Sequence, residues 1–329
     1  MPLLSSPTTA SAPTILSTHT YPHRSVPKTS ISHPINISWI VPDEYLPFLS
    51  FSDLPDNIDL FDLTDPAMAK QLEPQLEKAR SNLRPPSRRM GNLALSSCPG
   101  KKVRLTGPVR GRAAINRDLD LDFARMRSFG ITTLVCCLDD NELGFLGASW
   151  PKYYEAAKRH NLDIIRLPMV EGSCPETIAD IHAVVQMVDD KIRQGENVLT
   201  HCRGGVGRAG LFACCWLLKN LLCLSAERAI RYVRIRRSVK AIETMRQAEF
   251  IIHYSHYVGK LLDQQQHRDL DQKAGFSVSS SPSSSLSPRP LLMAHTDHTL
   301  AVPSVSDISS LERAMRIGQA NPSQTAQAL

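Results

Sequence analysis

The chain has 329 residues, 42% of them hydrophobic, and its 38 basic and 32 acidic side chains give a formal net charge of +6. That hydrophobic share allows a sizeable core, and the mild positive excess suits an anionic ligand while falling far short of a nucleic-acid-binding composition. The eight cysteines follow no zinc-ligand spacing, so no metal is expected and the thiols are read as reduced.

Residues 1–33 are rich in Ser, Thr and Pro, lack periodicity and are read as disordered. They contain no basic stretch followed by an apolar core, so no secretory signal is expected. No acidic residue precedes Asp43, a faint transit-peptide trait, but Arg24 and Lys28 are the only fixed cations there; a cytoplasmic or nuclear location is expected. Globular composition spans 34–265. In chain order, Asn36–Val41 and Asn92–Ser96 read as short strands, with a helix-like Asp65–Ser81 segment between them. Arg117–Phe129 reads as a helix closed by Gly130, and Thr132–Leu138 as a buried strand. Trp150–His160 follows as a helix and Asp163–Leu167 as a strand. Pro175–Arg193 is a strong helix, with Pro175 in its first turn and Ile178, Ile181, Val184, Val185 and Val188 on one face. Val198–Thr200 reads as a strand, and Val206–Leu222, Ala226–Arg236 and Met245–Leu262 as helices. Residues 266–329 form a Ser/Pro-rich tail read as disordered, with a short amphipathic stretch at Ile308, Leu311 and Met315. Its Ser281-Pro282 and Ser287-Pro288 pairs suit proline-directed kinases and equally suit ordinary tail composition. The longest apolar run, Ala209–Leu224, is interrupted by Lys219, so no membrane span is expected. Alternating strands and helices predict a single α/β domain with a central, largely parallel sheet flanked by helices. Ligands bind such sheets at the carboxyl ends of the strands, where His201 and Cys202 fall.

The informative segment is Val198-Leu-Thr-His-Cys-Arg-Gly-Gly-Val-Gly-Arg208. A strand runs into His201-Cys202, a loop of Arg203, Gly204, Gly205, Val206 and Gly207 follows, and Arg208 opens an apolar helix. Glycines let the backbone curl until successive N–H groups converge on one point, making an anion-binding nest. The helix behind adds its positive N-terminal end. Both fields stabilise a thiolate at Cys202, and the thiolate is the nucleophile that phosphoryl transfer needs. Arg208 offers a planar fork that matches two phosphoryl oxygens. Any one of these features alone fits a buried core thiol before an ordinary turn; together they point to phosphate chemistry. His201 is read as bonding to the loop backbone and supporting the thiolate rather than acting as a base. For Arg203 two readings stay open: contact with a substrate carboxylate or second phosphate, or plain solvation. Arg234, Arg236 and Arg237 read as a basic rim or, more commonly, a solvated face. Cys214, Cys215 and Cys223 read as core.

His201-Cys202-x-x-Gly205-x-x-Arg208 is similar to the signature of the protein tyrosine phosphatase superfamily. The wider chain resembles its kinase-associated phosphatase branch, the cyclin-dependent kinase inhibitor 3 family, over about 34–262. Pro34-Ile-Asn-Ile-Ser-Trp39 resembles that family's first strand, and Leu93–Gly100 followed by Lys101-Lys102 its Pro-Gly, basic segment. Leu167–Glu176 sits where the family carries its acid loop, and Ala241-Ile242-x-Thr244-x-x-Gln247 resembles its distal loop. The resemblance implies a cysteine-phosphatase fold of dual-specificity type, with a shallow pocket for phosphotyrosine and phosphoserine or phosphothreonine. It implies a phosphorylated protein substrate, with a cyclin-dependent kinase as a partner, and no metal or other cofactor; composition and hydropathy predict no nucleic acid and no membrane, and a monomer is expected. It also implies a water-positioning role for Gln247, whose other reading is a helix-surface residue. The chain departs from the family at Ala209, where a hydroxyl usually helps the thiolate leave, at Glu171, where Asp is usual, and in a longer segment between Phe48 and Arg89.

Cleavage also needs a proton on the leaving oxygen, most of all for serine and threonine alkoxides, poorer leaving groups than a phenolate of pKa about 10. Glu171 lies 31 residues before Cys202, beside Gly172 and between Pro168 and Pro175, on a loop able to close over substrate. Glu176, Asp139 and Asp140 are the competing candidates, Glu176 reading as a first-turn helix acid and the aspartates as a solvated pair. Two other functions stay open: a phosphoinositide phosphatase, disfavoured because Arg203 is the only basic residue between Cys202 and Arg208, and a module that binds phosphoproteins and turns over slowly.

Overall fold

The structure is a computed structural model that describes residues 26–276 apart from 51–53, 55–56, 82–88, 107–108 and 110–111. Its elements run β1 (Ser38–Trp39), α1 (Leu46–Leu49), a 3-10 turn (Asp62–Thr64), α2 (Pro66–Ser81), β2 (Leu93–Ser97), β3 (Lys102–Val103), β4 (Ile115–Asn116), α3 (Leu119–Ser128), β5 (Ile131–Cys136), α4 (Asp140–Phe145), α5 (Trp150–Arg159), β6 (Asp163–Arg166), α6 (Ile178–Arg193), β7 (Asn197–Cys202), α7 (Arg208–Lys219), α8 (Ala226–Arg236) and α9 (Met245–Phe276). Five strands form one sheet in the order β1-β2-β7-β5-β6, parallel throughout except that β1 runs antiparallel to β2. β3 and β4 make a separate antiparallel pair. The α/β architecture with a largely parallel sheet is as the alternating pattern predicts.

The sheet centre explains the apolar runs. β7 lies between β2 and β5, and a strand covered on both faces reads as a continuous hydrophobic stretch. α7 follows it through the middle of the fold, buried at every residue from Arg208 to Leu218 and packed on α6, α8 and α9. Hence the run read as too short for a membrane is the core helix. α3 and α5 pack together beside β5 and β6. α2 covers the core with Leu72 and Leu76.

Some boundaries differ from those read in the sequence, each for a local reason. α6 starts at Ile178 rather than Pro175. Thr177 and Asp180 form a capping box there, satisfying two otherwise unpaired amides and fixing the start more firmly than a proline does. Glu176 therefore precedes the helix and occupies no first turn. α9 continues past Leu262, and past the domain boundary at 265, to Phe276, supported where Gln265 reaches Asp269 and Arg268. Gln, Lys, Arg and Asp along one helix read like tail composition, yet most are good helix formers. At the other end, the stretch from 26 to 33 joins the domain. The Lys28 backbone bonds to Ala114 and Asn116, and Ser30 bonds to the Asp118 backbone. β1 spans two residues rather than six, because the Asn92 side chain takes over from the ladder, accepting from Val41 N–H and donating to its carbonyl. Residues 1–25, the two Ser-Pro pairs and the Ile308-Leu311-Met315 stretch lie outside the described residues.

One buried ion pair braces the wall beside the site. Arg117 makes a two-pronged contact with Asp122, at 2.7 and 2.8 Å, with side chains only 7% and 1% exposed. Asp122 also accepts from Gly100 N–H, and Arg117 donates to the His33 carbonyl. Removing one partner strands a buried charge, at a cost of about 3–5 kcal/mol. Asp122→Ala is expected to lower unfolding stability by that amount, read as a shift of the urea midpoint.

Candidate active site

The strand order brings a loop and the residues that brace it together at the carboxyl end of the sheet. Cys202 is the last residue of β7, 3% exposed, and its Sγ accepts a hydrogen bond from Gly205 N–H at 3.2 Å. Gly205 has φ +69°, and a Cβ there would overlap the Ser96 carbonyl. The loop therefore curls against β2 so tightly that only glycine fits. Gly207 approaches the Glu243 carboxylate and Gln247 amide as closely. Gly204 is exposed at the rim and Val206 half-buried against the core. Arg208 opens α7 directly behind the thiol, so the positive end of a twelve-residue helix faces the loop.

Arg208 is 3% exposed and held from behind. Glu142 on α4 grips both Nη1 and Nη2, and Nη1 also donates to the Met169 carbonyl at 2.7 Å. Burial alone would lower the guanidinium's pKa; the Glu142 carboxylate overrides that and raises it. A guanidinium has five N–H donors. These contacts use three of them, leaving Nε–H and one Nη2–H as a two-pronged edge for an anion. The sequence reading missed Glu142, although it lies on the loop side of β5 beside the aspartates that were weighed.

Those aspartates do structural work instead. Asp139 caps α4 by accepting from Glu142 N–H, and Asp140 pairs with Arg166 at 2.7 Å.

Arg237, read in the sequence as part of a basic rim or solvated face, has another role. It donates to the Gly205 and Gly204 carbonyls and to Ser38 Oγ, turning the loop carbonyls outward so that their amides can face in. Arg234 is buried on the Ala241 and Ile242 carbonyls, and Arg236 bonds the Trp39 carbonyl. Neither a basic rim nor a solvated face describes these arginines: they tie loops down. Lys101 adds a tether from the other side, its Nζ on the Arg203 carbonyl at 2.9 Å.

His201 is fully buried, and Nε2 shares a 2.7 Å hydrogen bond with the Tyr153 hydroxyl. Its Nδ1 lies near the Cys202 backbone without a well-aligned bond. The bond to the Tyr153 hydroxyl ties the ring to α5. Burial pushes its pKa down to about 3. The unfolded chain takes up this proton near pH 6.5 and the fold only near pH 3. The stability this group supplies is therefore full above pH 6.5 and is lost as pH falls toward 3. At about 1.4 kcal/mol per unit of difference, wild type is expected to lose about 2–3 kcal/mol more than His201→Gln between pH 6.5 and 4.5, measured by urea unfolding.

The Leu167–Glu176 loop is tied to Thr244 and to Gln247 in the first turn of α9. Thr244 Oγ1 donates to the Gly172 carbonyl and Gln247 Nε2 to the Ser173 carbonyl, while Gln247 Oε1 accepts from Glu243 N–H. Gln247 is fully buried, so the helix-surface reading fails. Glu171 stands at the rim, its side chain 59% exposed, paired with Arg203 at 2.9 Å. Ala209 is fully buried and offers no hydroxyl. Cys98, Cys136, Cys137, Cys214, Cys215 and Cys223 are buried, and burial raises each thiol's pKa, as suits core residues. Among the described residues, no three His, Cys, Asp or Glu side chains gather to hold a metal ion.

Comparison with known proteins accords with this geometry. Residues 129–256 match the family described as dual specificity phosphatase, catalytic domain. Cyclin-dependent kinase inhibitor 3 from Sus scrofa is 26% identical over 162 residues, covering 49% of this chain and 69% of its own. Its counterpart from Homo sapiens is similar to the same extent. A crystal structure of kinase associated phosphatase, its catalytic cysteine replaced by serine, is 23% identical with a TM-score of 0.45, covering 51% of this chain and 88% of its own. The resemblance carried by His201-Cys202-x-x-Gly205-x-x-Arg208 is borne out.

Proposed function

We propose that this chain, a cysteine-dependent protein phosphatase of the dual-specificity family, hydrolyses phosphotyrosine and phosphoserine or phosphothreonine through a cysteinyl-phosphate intermediate. The observation that carries the reading is the pairing of two anion-seeking elements: the glycine loop that aims Gly205 N–H at Cys202 Sγ, and Arg208 with an edge left free by its grip on Glu142.

In the first step Cys202 Sγ attacks phosphorus, a P–S bond forms and the P–O bond to the side chain breaks. The departing oxygen takes its proton from Glu171. Loop amides and Arg208 hold the equatorial oxygens, where charge collects in the transition state. In the second step water attacks phosphorus and gives a proton to the Glu171 carboxylate, the P–S bond breaks with sulfur leaving as thiolate, and inorganic phosphate is released with Glu171 again protonated. Gln247, buried beside Gly207, orients that water. With Ala209 giving the departing thiolate no hydroxyl, the second step is the slower. His201 stays neutral and takes no part in proton transfer.

The relatives' names tie those proteins to kinases, and a cyclin-dependent kinase phosphorylated on its activation loop is the substrate we propose by extension. The test is phosphate release from matched phosphotyrosine and phosphothreonine peptides in EDTA. Release from both, unaffected by the chelator, supports the reading. Release from neither contradicts it, and the ratio of rates ranks the two substrates.

A further inference from the structure

A cavity of about 250 Å³ opens beside the phosphate loop, lined by Asn141, Glu142, Phe145, Leu146, Glu171 and Arg203. Glu142 in its wall is the residue that grips Arg208, so the cavity adjoins the seat of the phosphoryl group. Among the described residues that line it, Arg203 is the one cation. The Arg203 side chain is 41% exposed, its guanidinium is 5.9 Å from the Phe145 ring centroid, and Nη1 is paired with Glu171. Phe145 itself is 72% exposed, an aromatic left facing solvent at the edge of a catalytic pocket.

The Arg203–Glu171 pair and the proposed acid role exclude one another. A carboxylate paired with a guanidinium only accepts hydrogen bonds and has no proton to give. Glu171 can serve the leaving oxygen only after letting go of Arg203. An exposed ion pair of this kind is weak, so another anion arriving at Arg203 competes with it readily. Glu142 does not compete, because both its oxygens are committed to Arg208.

We propose that Arg203 reads an anionic group beside the phosphorylated residue of the substrate, and that this group takes Glu171's place on Arg203 and so frees Glu171 to act. The substrate class is a protein segment whose phosphoresidue is flanked by a carboxylate or a second phosphate, with Phe145 packing the flanking side chain's stem. This rests on the reading of Cys202 as nucleophile and Glu171 as acid, and gives that site a substrate preference.

The test uses the full chain and four phosphothreonine peptides that differ only at the adjacent residue: Glu, a second phosphothreonine, Gln or Lys. Each variant is judged by the ratio of its own rates. Wild type is expected to favour the Glu and phosphothreonine neighbours over Gln by roughly tenfold in kcat/KM, with part of the gain in kcat, and to disfavour Lys. Comparing the two anionic peptides tells which source of charge is preferred. Arg203→Ala is expected to flatten the ratios to within about twofold, Arg203→Lys to keep part of the preference, and Arg203→Glu to shift it toward Lys. Release from all four peptides at equal rates by wild type, or an anionic preference that survives in Arg203→Ala, overturns the proposal while leaving the phosphatase reading intact. A preference confined to KM, with Glu171→Gln as active as wild type, overturns the exchange and the acid role together. Absence of release from every peptide overturns the proposal, and release from the phosphotyrosine peptide under the same conditions then tells whether the phosphatase reading stands without it.

Discussion

Cys202→Ser is expected to lower phosphate release by at least about 10⁴-fold with every substrate, because the mutation removes the nucleophile itself rather than a helper. A serine hydroxyl in the same seat stays protonated at neutral pH, and among the described residues the partner of Cys202 Sγ is the Gly205 N–H, a donor that cannot take a proton. The one histidine nearby, His201, is fully buried, bonded to Tyr153 and held neutral by its surroundings. Binding should survive. The loop amides and Arg208 remain, so Cys202→Ser is expected to hold phosphopeptide as a stable complex, measurable by calorimetry. Loss of turnover together with loss of binding would indicate that the loop had collapsed. Turnover retained within about tenfold would remove Cys202 from the mechanism.

Glu142→Ala is expected to cost about 10²-fold or more in kcat with a smaller change in KM. The carboxylate touches neither thiol nor phosphate in this account. Its two oxygens fix the back of the Arg208 guanidinium while the Met169 carbonyl takes a further donor. Without Glu142 the guanidinium swings, and a displacement of about 1 Å at a catalytic group costs on the order of a hundredfold. Arg208 is also left buried without its counter-charge, so stability falls by about 3–5 kcal/mol. Glu142→Gln keeps the shape and loses the charge, and is expected to lie between wild type and Glu142→Ala in both rate and unfolding midpoint. A Glu142→Ala enzyme with unchanged kcat would show that Arg208 needs no orienting partner.

The contrast between Arg208 and Glu142 marks how far the sequence carries. Nucleophile, glycine loop and arginine fall within seven consecutive positions, Cys202 to Arg208, because a loop and the helix behind it are made by one stretch of chain. Their chemistry is legible as a string. Glu142 meets Arg208 across 66 residues, and only the parallel pairing of β5 with β7 brings them together. Its one sequence signal was an acidic residue shortly after a strand that ends on the same sheet edge, a signal Asp139 and Asp140 share. Arg237 is harder still: it lies in a basic run whose pattern matches a solvated face, and its contact with the Gly204 and Gly205 carbonyls depends on how α8 ends. Strands and helices were legible where burial imposes a period, as along α6, whose Ile181, Val184, Val185 and Val188 are buried. They were not where polar residues build helix without burying it, as in α9 beyond Leu262.

Ala209 also makes the central claim open to direct observation. Without a hydroxyl to help the thiolate leave, the phosphorylated enzyme should accumulate during turnover. The measurement is acid quench of the full chain after mixing with a phosphotyrosine peptide in EDTA, followed by mass analysis of the segment that contains Cys202. The account predicts one phosphoryl group on Cys202 in wild type, approaching one per chain before steady release sets in, and none in Cys202→Ser. Steady phosphate release with no phosphoryl group on Cys202 at any time would contradict the cysteinyl-phosphate mechanism.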